Sequence, residues 1–249
     1  MSKVLKSMMM VKETDKNKVI RQHAQMERFF SGGFTMKGHK NDPKEAQNSE
    51  AVSKLAQLAQ QICECRKCPL GSLRTNAVPG EGDPNARIMF VGEGPGADED
   101  AQGRPFVGRA GQLLDKIIAA CGLERSEVWI GNIIKCRPPE NRDPKPEEVI
   151  ACLPYLQSQI ELINPEIIVA LGAHAARTLL DTKKSIGQMR GQFQEYYAGL
   201  GHQPIKLMPT YHPAYLLRNY SKENRFRVWE DMKTVLAELD LPIPERSAR

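Results

Sequence analysis

The sequence predicts a three-layer α/β/α sandwich around a central, mainly parallel four-stranded sheet. Three observations carry this. Four short apolar runs, Arg87–Gly92, Val128–Lys135, Pro165–Gly172 and Ile205–Thr210, have the length and the Ile/Val content of buried strands. Segments with apolar residues at helical spacing fall between and after them, chiefly Gly111–Ala120, Pro146–Ile163 and Asn224–Leu239. Strands that alternate with helices build parallel sheets covered on both faces, and their strands then read as continuous apolar runs.

Taken in order, residues 1–48 are polar and broken by Gly32-Gly33 and Asp42-Pro43, which predicts a flexible N-terminal tail with at most a short helix near Val19–Phe30. Order is expected from Asn48 or Ser49, either of which suits an N-cap, with Val52, Leu55, Leu58 and Ile62 on one helical face. A turn-rich stretch, Val78–Pro84, leads into the first strand. The helix Gly111–Ala120 points Leu113, Leu114, Ile117 and Ile118 inward and is closed by Gly122. Pro146 opens a helix that runs to about Ile163, with an interruption expected at Pro154. The last helix sets Phe226, Trp229, Met232 and Leu236 on one face. The folded domain is expected over 49–242, with a short tail at 243–249.

Hydrophobic content of 41% without an apolar run near a membrane span's length argues against insertion in a bilayer. The start, MSKVLKSMMMVKETDK, has no signal-peptide pattern, so a cytoplasmic, reducing setting is expected. The net charge of +5 is unevenly placed: residues 1–50 hold ten Lys/Arg against six Asp/Glu, and residues 183–230 eight against three. Such a bias suits either a solvated face or an electrostatic footprint for nucleic acid.

Ligands of a parallel sheet bind beyond the carboxyl ends of its strands. That places Gly92–Asp100, Asn132–Arg142, Gly172–His174 and Tyr211–Arg218 at one edge. The first of these, Gly92-Glu93-Gly94-Pro95-Gly96-Ala97, fits the pattern of a dinucleotide loop. Its chemistry does not, because a pyrophosphate needs amide donors and no nearby anions. Asp98, Glu99 and Asp100 crowd the site, and Pro95 removes a donor. NAD is not expected here. A tight turn remains, open to a flat ligand and followed by carboxylates.

Six cysteines lie at 63, 65, 68, 121, 136 and 152. Cys65-x-x-Cys68 precedes Pro69, while Cys136 and Cys152 each have a proline within two positions. Four cysteines so arranged suit a tetrahedral zinc or an iron–sulfur cluster, and spacing leaves both open. Asn132 ends an apolar strand, where an amide can pair with a nucleobase or serve as a structural cap. His212, held by Pro213, could donate to an oxygen that gains charge during a reaction.

The set Cys65-x-x-Cys68-Pro-Leu, Val91-Gly-Glu-Gly-Pro-Gly96, Gly103-Arg-Pro-Phe-Val-Gly108, Asn132-Ile-Ile-Lys-Cys-Arg-Pro-Pro139 and His212-Pro-Ala-Tyr-Leu-Leu-Arg218 resembles the family 4, iron–sulfur uracil-DNA glycosylases. The resemblance runs in order from about Leu58 to Leu239 and leaves out residues 1–50. It implies an enzyme that extrudes uracil from DNA and hydrolyses its N-glycosidic bond, leaving free uracil and an abasic site. It further implies a structural 4Fe–4S cluster on Cys65, Cys68, Cys136 and Cys152, and no need for magnesium. The uracil pocket would be lined by Gly92, Glu93 and Gly94, with Phe106 stacking on the base, Asn132 reading its amide edge and His212 facing the 2-oxo oxygen. The water-handling carboxylate is expected among Glu93, Asp98 and Glu99, with Asp98 preferred. Arg109, Arg142, Tyr215, Leu216 and Arg218 are expected to touch DNA. The branch that traps uracil covalently carries a His-containing insert, and Gly108–Val128 has no His, so release of free uracil is expected. A monomer is expected, and the competing reading is a non-catalytic nucleic-acid-binding module of the same fold.

Overall fold

The computed structural model describes residues 43–197 and 203–244. The expected tail helix near Val19–Phe30, most of the tail 1–48, and residues 245–249 of the C-terminal tail lie outside the described residues. The compact unit treated below spans Gln47–Arg249.

The strands, in chain order, are β1 (Glu81–Gly82), β2 (Ile88–Gly92), β3 (Trp129–Asn132), β4 (Ile167–Leu171), β5 (Gln194–Tyr196) and β6 (Ile205–Thr210). They form one sheet of order β1-β3-β2-β4-β6-β5. The four strands expected from the sequence make its centre and pair in parallel: β2 with β3 and β4, and β4 with β6. The sheet has six strands rather than four, because β1 and β5 add antiparallel edges. Strands of two and three residues carry no readable period, and Gly82 and Gln194-Glu195 offer no apolar run.

The helices are α1 (Pro43–Glu64), α2 (Leu70–Leu73), α3 (Ala97–Gln102), α4 (Arg109–Ala120), α5 (Pro146–Ile163), α6 (Ala173–Leu180), α7 (Ile186–Met189), α8 (Pro213–Arg218) and α9 (Lys222–Glu238). They cover both faces, and the period-2 alternation of the strands decides which core each side chain enters. Met89, Val91, Ile168, Ala170 and Leu207 pack with Leu55 and Ile62 of α1, Leu156 and Ile160 of α5, and Ala175 of α6. Their neighbours Phe90, Ile130, Val169 and Met208 pack with Leu114 and Ile118 of α4 and with Met232 and Leu236 of α9.

Three local expectations change. Helix α1 begins at Pro43 rather than at an Asn48 or Ser49 cap, and Val52 lies outward, while Leu55, Leu58 and Ile62 pack against the core. Helix α5 runs unbroken through Pro154. That proline costs only the hydrogen bond to the carbonyl of Ile150, a residue on the solvent face. On α9, Phe226 is exposed, and Val228, Met232, Val235 and Leu236 form the buried stripe instead. Among the described residues, no helix is long and apolar enough to cross a membrane.

Candidate active site and cysteine centre

The carboxyl ends of the four parallel strands open into a cavity of about 510 Å³. It is lined by Glu93, Gly94 and Glu99 from the glycine turn, and by Phe106, Asn132 and His212, among others. Separated sequence motifs meet here because parallel strands deliver all their carboxyl ends to one edge. Gly92 and Asn132 are register partners on β2 and β3, and the amides of Ile133 and Ile134 donate to the carbonyls of Gly92 and Glu93.

Gly92 lies directly behind the cavity wall. A Cβ there would sit 2.4 Å from Asn132 Oδ1 and 2.5 Å from Phe106 Cζ, so the bare Cα lets the amide and the ring close in. Phe106 is nearly buried, with φ at +50°, a conformation that costs an aromatic residue about 1–3 kcal/mol. Its surroundings impose it. Glu99 accepts hydrogen bonds from the Val107 and Gly108 amides at 2.9 Å, and Arg125 donates to the Pro105 and Phe106 carbonyls. The Phe106 ring stands 5.7 Å from the His212 ring.

Asn132 is 2% exposed, and its Oδ1 is a buried acceptor without a partner. Leaving such an atom unpaired costs about 1–3 kcal/mol, so the cavity is ready for a ligand N–H. The Lys135 ammonium, fully buried, donates to the Asn132 carbonyl at 2.9 Å and to Gln159 Oε1 at 2.6 Å, which holds the strand end in place.

His212 caps helix α8. Its Nδ1 accepts from the Ala214 amide at 3.0 Å, which leaves the proton on Nε2 as a donor. Burial pushes the imidazole down to about 4, helped by the positive charge of Arg218 and opposed by Glu99. The ring is therefore neutral near pH 7, a fixed N–H donor without a charge.

The four acidic residues within and after the glycine turn fall in different places. Glu93 lines the cavity, and burial raises its carboxyl, with Asp143 adding to the rise and His174 opposing it. The His174 ring lies between the two acids, Nδ1 3.8 Å from Glu93 and Nε2 3.6 Å from Asp143. Asp98, the carboxylate preferred from the sequence, is exposed on α3, packs against Gly108 and does not line the cavity. Glu99 is committed to the Gly96, Val107 and Gly108 amides and acts as an anchor of the loop. Asp100 is equally structural, accepting from the Thr75 amide at 3.0 Å.

Of the residues expected near DNA, Tyr215, Arg142 and Arg218 line the cavity mouth, and Arg109 is exposed at the start of α4. Arg142 is also paired with Glu148 at 2.6 Å. Leu216 is 3% exposed and faces the core, because the helical period of α8 turns it under while Leu217 stays partly exposed. Sequence reading placed Asn141 and His174 within segments at this edge without naming them as site residues, and left out Asp143; all three are in the lining. Positive φ at Glu140 and Asn141 places that loop, and no residue pattern announces it.

Cys65, Cys68, Cys136 and Cys152 surround one small void beneath α1 and α5, together with Lys135, Arg74 and Tyr155. Cys63 is exposed and Cys121 is buried elsewhere. Donors point at the sulfurs: the Lys135 amide at Cys152 Sγ, 3.2 Å, and Arg74 Nη1 at Cys136 Sγ, 2.9 Å. Burial raises the Cys136 thiol, and pushes Cys152 up to about 11. Such a set is costly as thiolates alone and fits a bound metal group, which supplies the missing positive charge. Among the described residues, no three cysteine sulfurs lie within 4.8 Å of one another, whereas Glu93, Asp143 and His174 meet that limit. A single tetrahedral zinc with bonds near 2.3 Å would hold its sulfurs roughly 3.8 Å apart.

A parallel sheet ending in a glycine turn, a cavity at its carboxyl edge, an unpaired amide oxygen and a neutral histidine donor together define a class. The chain belongs to the uracil DNA glycosylase superfamily, whose family model matches residues 79–233. Within it the chain falls in the type-4 family. It is 50% identical over 177 residues to the type-4 uracil-DNA glycosylase of Thermotoga maritima, covering 71% of this chain and 90% of that protein. Identity to the type-4 enzyme of Sulfurisphaera tokodaii is 46% over 189 residues, covering 74% and 84%. A type-5 uracil-DNA glycosylase of Pyrobaculum aerophilum is more distant, at 35% over 154 residues, covering 55% and 65%.

Proposed function

We propose that this protein removes uracil from DNA by hydrolysing the N-glycosidic bond, releasing free uracil and leaving an abasic site for base excision repair. The observation that carries the reading is the buried, partnerless Asn132 Oδ1 in a cavity that also holds the neutral His212 donor. Uracil presents an N–H flanked by two carbonyls on a flat ring, which fits an acceptor and a donor opposite an aromatic face. Cytosine presents a bare ring nitrogen at the same place, and two facing acceptors leave both unpaired, at a cost of about 1–3 kcal/mol.

The target nucleotide must leave the base stack before its sugar bond can be reached. Phe106 and the backbone of Gly94 then bracket the ring. As the bond breaks, electrons move onto the uracil, and His212 Nε2–H donates to the oxygen that gains charge. A preorganised donor of this kind contributes about 2.7–4 kcal/mol. A neutral imidazole keeps its proton while donating, so the base leaves as an anion. The sugar gathers positive charge; Glu93 and Glu99 both line the cavity, and with Glu99 committed to three loop amides, Glu93 is the carboxylate that can order the attacking water there.

The wide spacing of the cysteine sulfurs supports a 4Fe–4S cluster on Cys65, Cys68, Cys136 and Cys152 rather than a single zinc. When bound, the cluster ties α1, α5 and the segment after β3 together and supplies no electrons to the reaction. Lys135 and Cys136 follow Asn132 closely, so the ligands also brace the strand end that presents the amide. The catalytic unit is taken to lie within 49–242, acting as a cytoplasmic monomer.

The test is a uracil-containing oligonucleotide incubated without nicotinamide and with a magnesium chelator, scored for free uracil and for alkali-labile strand breaks. Both should appear in single- and double-stranded DNA. The protein should be brown with absorbance near about 400 nm, and Cys152→Ser should lose that band. Cluster-replete protein that leaves a U·G duplex uncut, yet binds it no better than undamaged DNA, would point to a non-catalytic module instead.

A further inference from the structure

A second cavity, of about 390 Å³, opens beside the base cavity. Helix α8 is the wall between them: Ala214, Tyr215 and Arg218 line the first, while Leu216 and Leu217 line the second. The start of α4 divides in the same way, with Ala110 on one side and Arg109 on the other. The floor is apolar, built from Leu113, Ile117, Val228 and Met232. Its rim carries Arg109, Lys116 and Arg225, all exposed, and no carboxylate lines it. Among the described residues, neither Arg109 nor Lys116 has an ion-pair partner.

At one end Tyr220 is 72% exposed, with the Arg225 guanidinium 5.4 Å from its ring centre and Arg225 Nη1 2.7 Å from its hydroxyl. An exposed aromatic ring braced by arginine, over an apolar floor and inside a rim of cations, is the element that stacks unpaired bases and draws in their phosphates. A solvated surface helix has no need of an apolar trough ringed by one sign of charge.

We propose that this groove receives the single strand adjoining the extruded uracil. One unstacked base would lie on Tyr220 and the apolar floor, with its phosphates on Arg109, Lys116 and Arg225. The assignment rests on the uracil-excising activity proposed above, and continuity argues for it, since a strand that places uracil in the base cavity has only helix α8 to cross. The groove thereby sets which flank of the lesion the enzyme grips, and it favours single-stranded or frayed DNA.

The experiment uses the full chain with its cluster and single-stranded oligonucleotides holding one uracil, trimmed in steps from either end. For the native protein, shortening one flank should raise KM about tenfold, and shortening the other should have little effect. The triple variant Lys116→Ala, Tyr220→Ala, Arg225→Ala should show the raised KM on every length, with kcat on a saturating long strand unchanged. Its log KM should depend less steeply on log salt, by roughly 0.7 for each phosphate that the variant no longer neutralises. All three side chains are exposed, and an unchanged unfolding midpoint would exclude misfolding. Equal flank dependence and equal salt slope in native and variant protein overturn the proposal. Retained DNA behaviour with lost binding of an acidic, leucine-rich peptide overturns it in favour of a protein partner. Absence of cleavage on every substrate would instead refute the activity and leave flank-dependent binding, read by anisotropy on an uncleavable strand, to decide the groove.

Discussion

Acidification should weaken this protein through His212 in a way that one substitution cancels. In the unfolded chain the imidazole titrates near its ordinary 6.5, while in the fold burial holds it at about 4. Below 6.5 the unfolded state therefore binds a proton that the folded state refuses, and stability falls as pH drops toward 4. With these two values, the loss between pH 7 and pH 5 is about 2 kcal/mol from this group alone. The variant His212→Asn keeps a cap acceptor for the Ala214 amide and does not titrate. The assay is urea unfolding of both proteins, purified alike, at pH 7, 6 and 5. The native protein should lose stability faster than the variant, with the two curves converging or crossing as pH falls. Because every other titratable group is common to both, the difference isolates the histidine. Parallel pH dependence would falsify the claim that His212 is held neutral, and with it the account of an uncharged donor at the leaving oxygen.

Two further outcomes follow from the geometry. Gly92→Ala puts a methyl 2.4 Å from Asn132 Oδ1 and 2.5 Å from the Phe106 ring, so kcat/KM should fall at least tenfold while the unfolding midpoint moves far less. Wild-type kinetics in that variant would show that the amide and ring need not close on the base. Arg190→Leu removes a bidentate partner from Asp231, which is 1% exposed and would keep the Thr210 hydroxyl as its donor. The expected loss is about 3–5 kcal/mol. It should shrink at lower pH, because burial already raises the Asp231 carboxyl and protonation removes the stranded charge. A loss that is the same at pH 7 and pH 5 would argue against that origin.

Much of the architecture was open to a reader of the chain. Strands β2, β3 and β4 are buried along their whole length, so Ile88–Val91 or Ile167–Leu171 has to be apolar throughout. Pro146 at the start of α5 and Gly122 after α4 leave their marks because φ there is restricted or positive. The edge strands were hidden for the opposite reason: Glu81-Gly82 and Gln194–Tyr196 pair through backbone groups, which any residue supplies. Asp98 and Glu99 differ in the same way. Adjacent on one helix turn, they are indistinguishable as sequence, yet one faces solvent and the other takes three amides.

By itself, then, the sequence determined the central parallel strands, the sheet edge that gathers the glycine turn, Asn132 and His212, and the four cysteines as a candidate ligand set. These follow from composition and spacing, which act over a few residues and leave a local signature. Only the tertiary structure decided that Gly92 is bare because two side chains converge on it, that His212 is neutral, that four of the six cysteines surround one void, and that Glu93 rather than Asp98 reaches the cavity. Each of these depends on burial or on distances between residues remote in the chain. Desolvation and through-space contact set the chemistry there, and neither is a property of any local stretch of sequence.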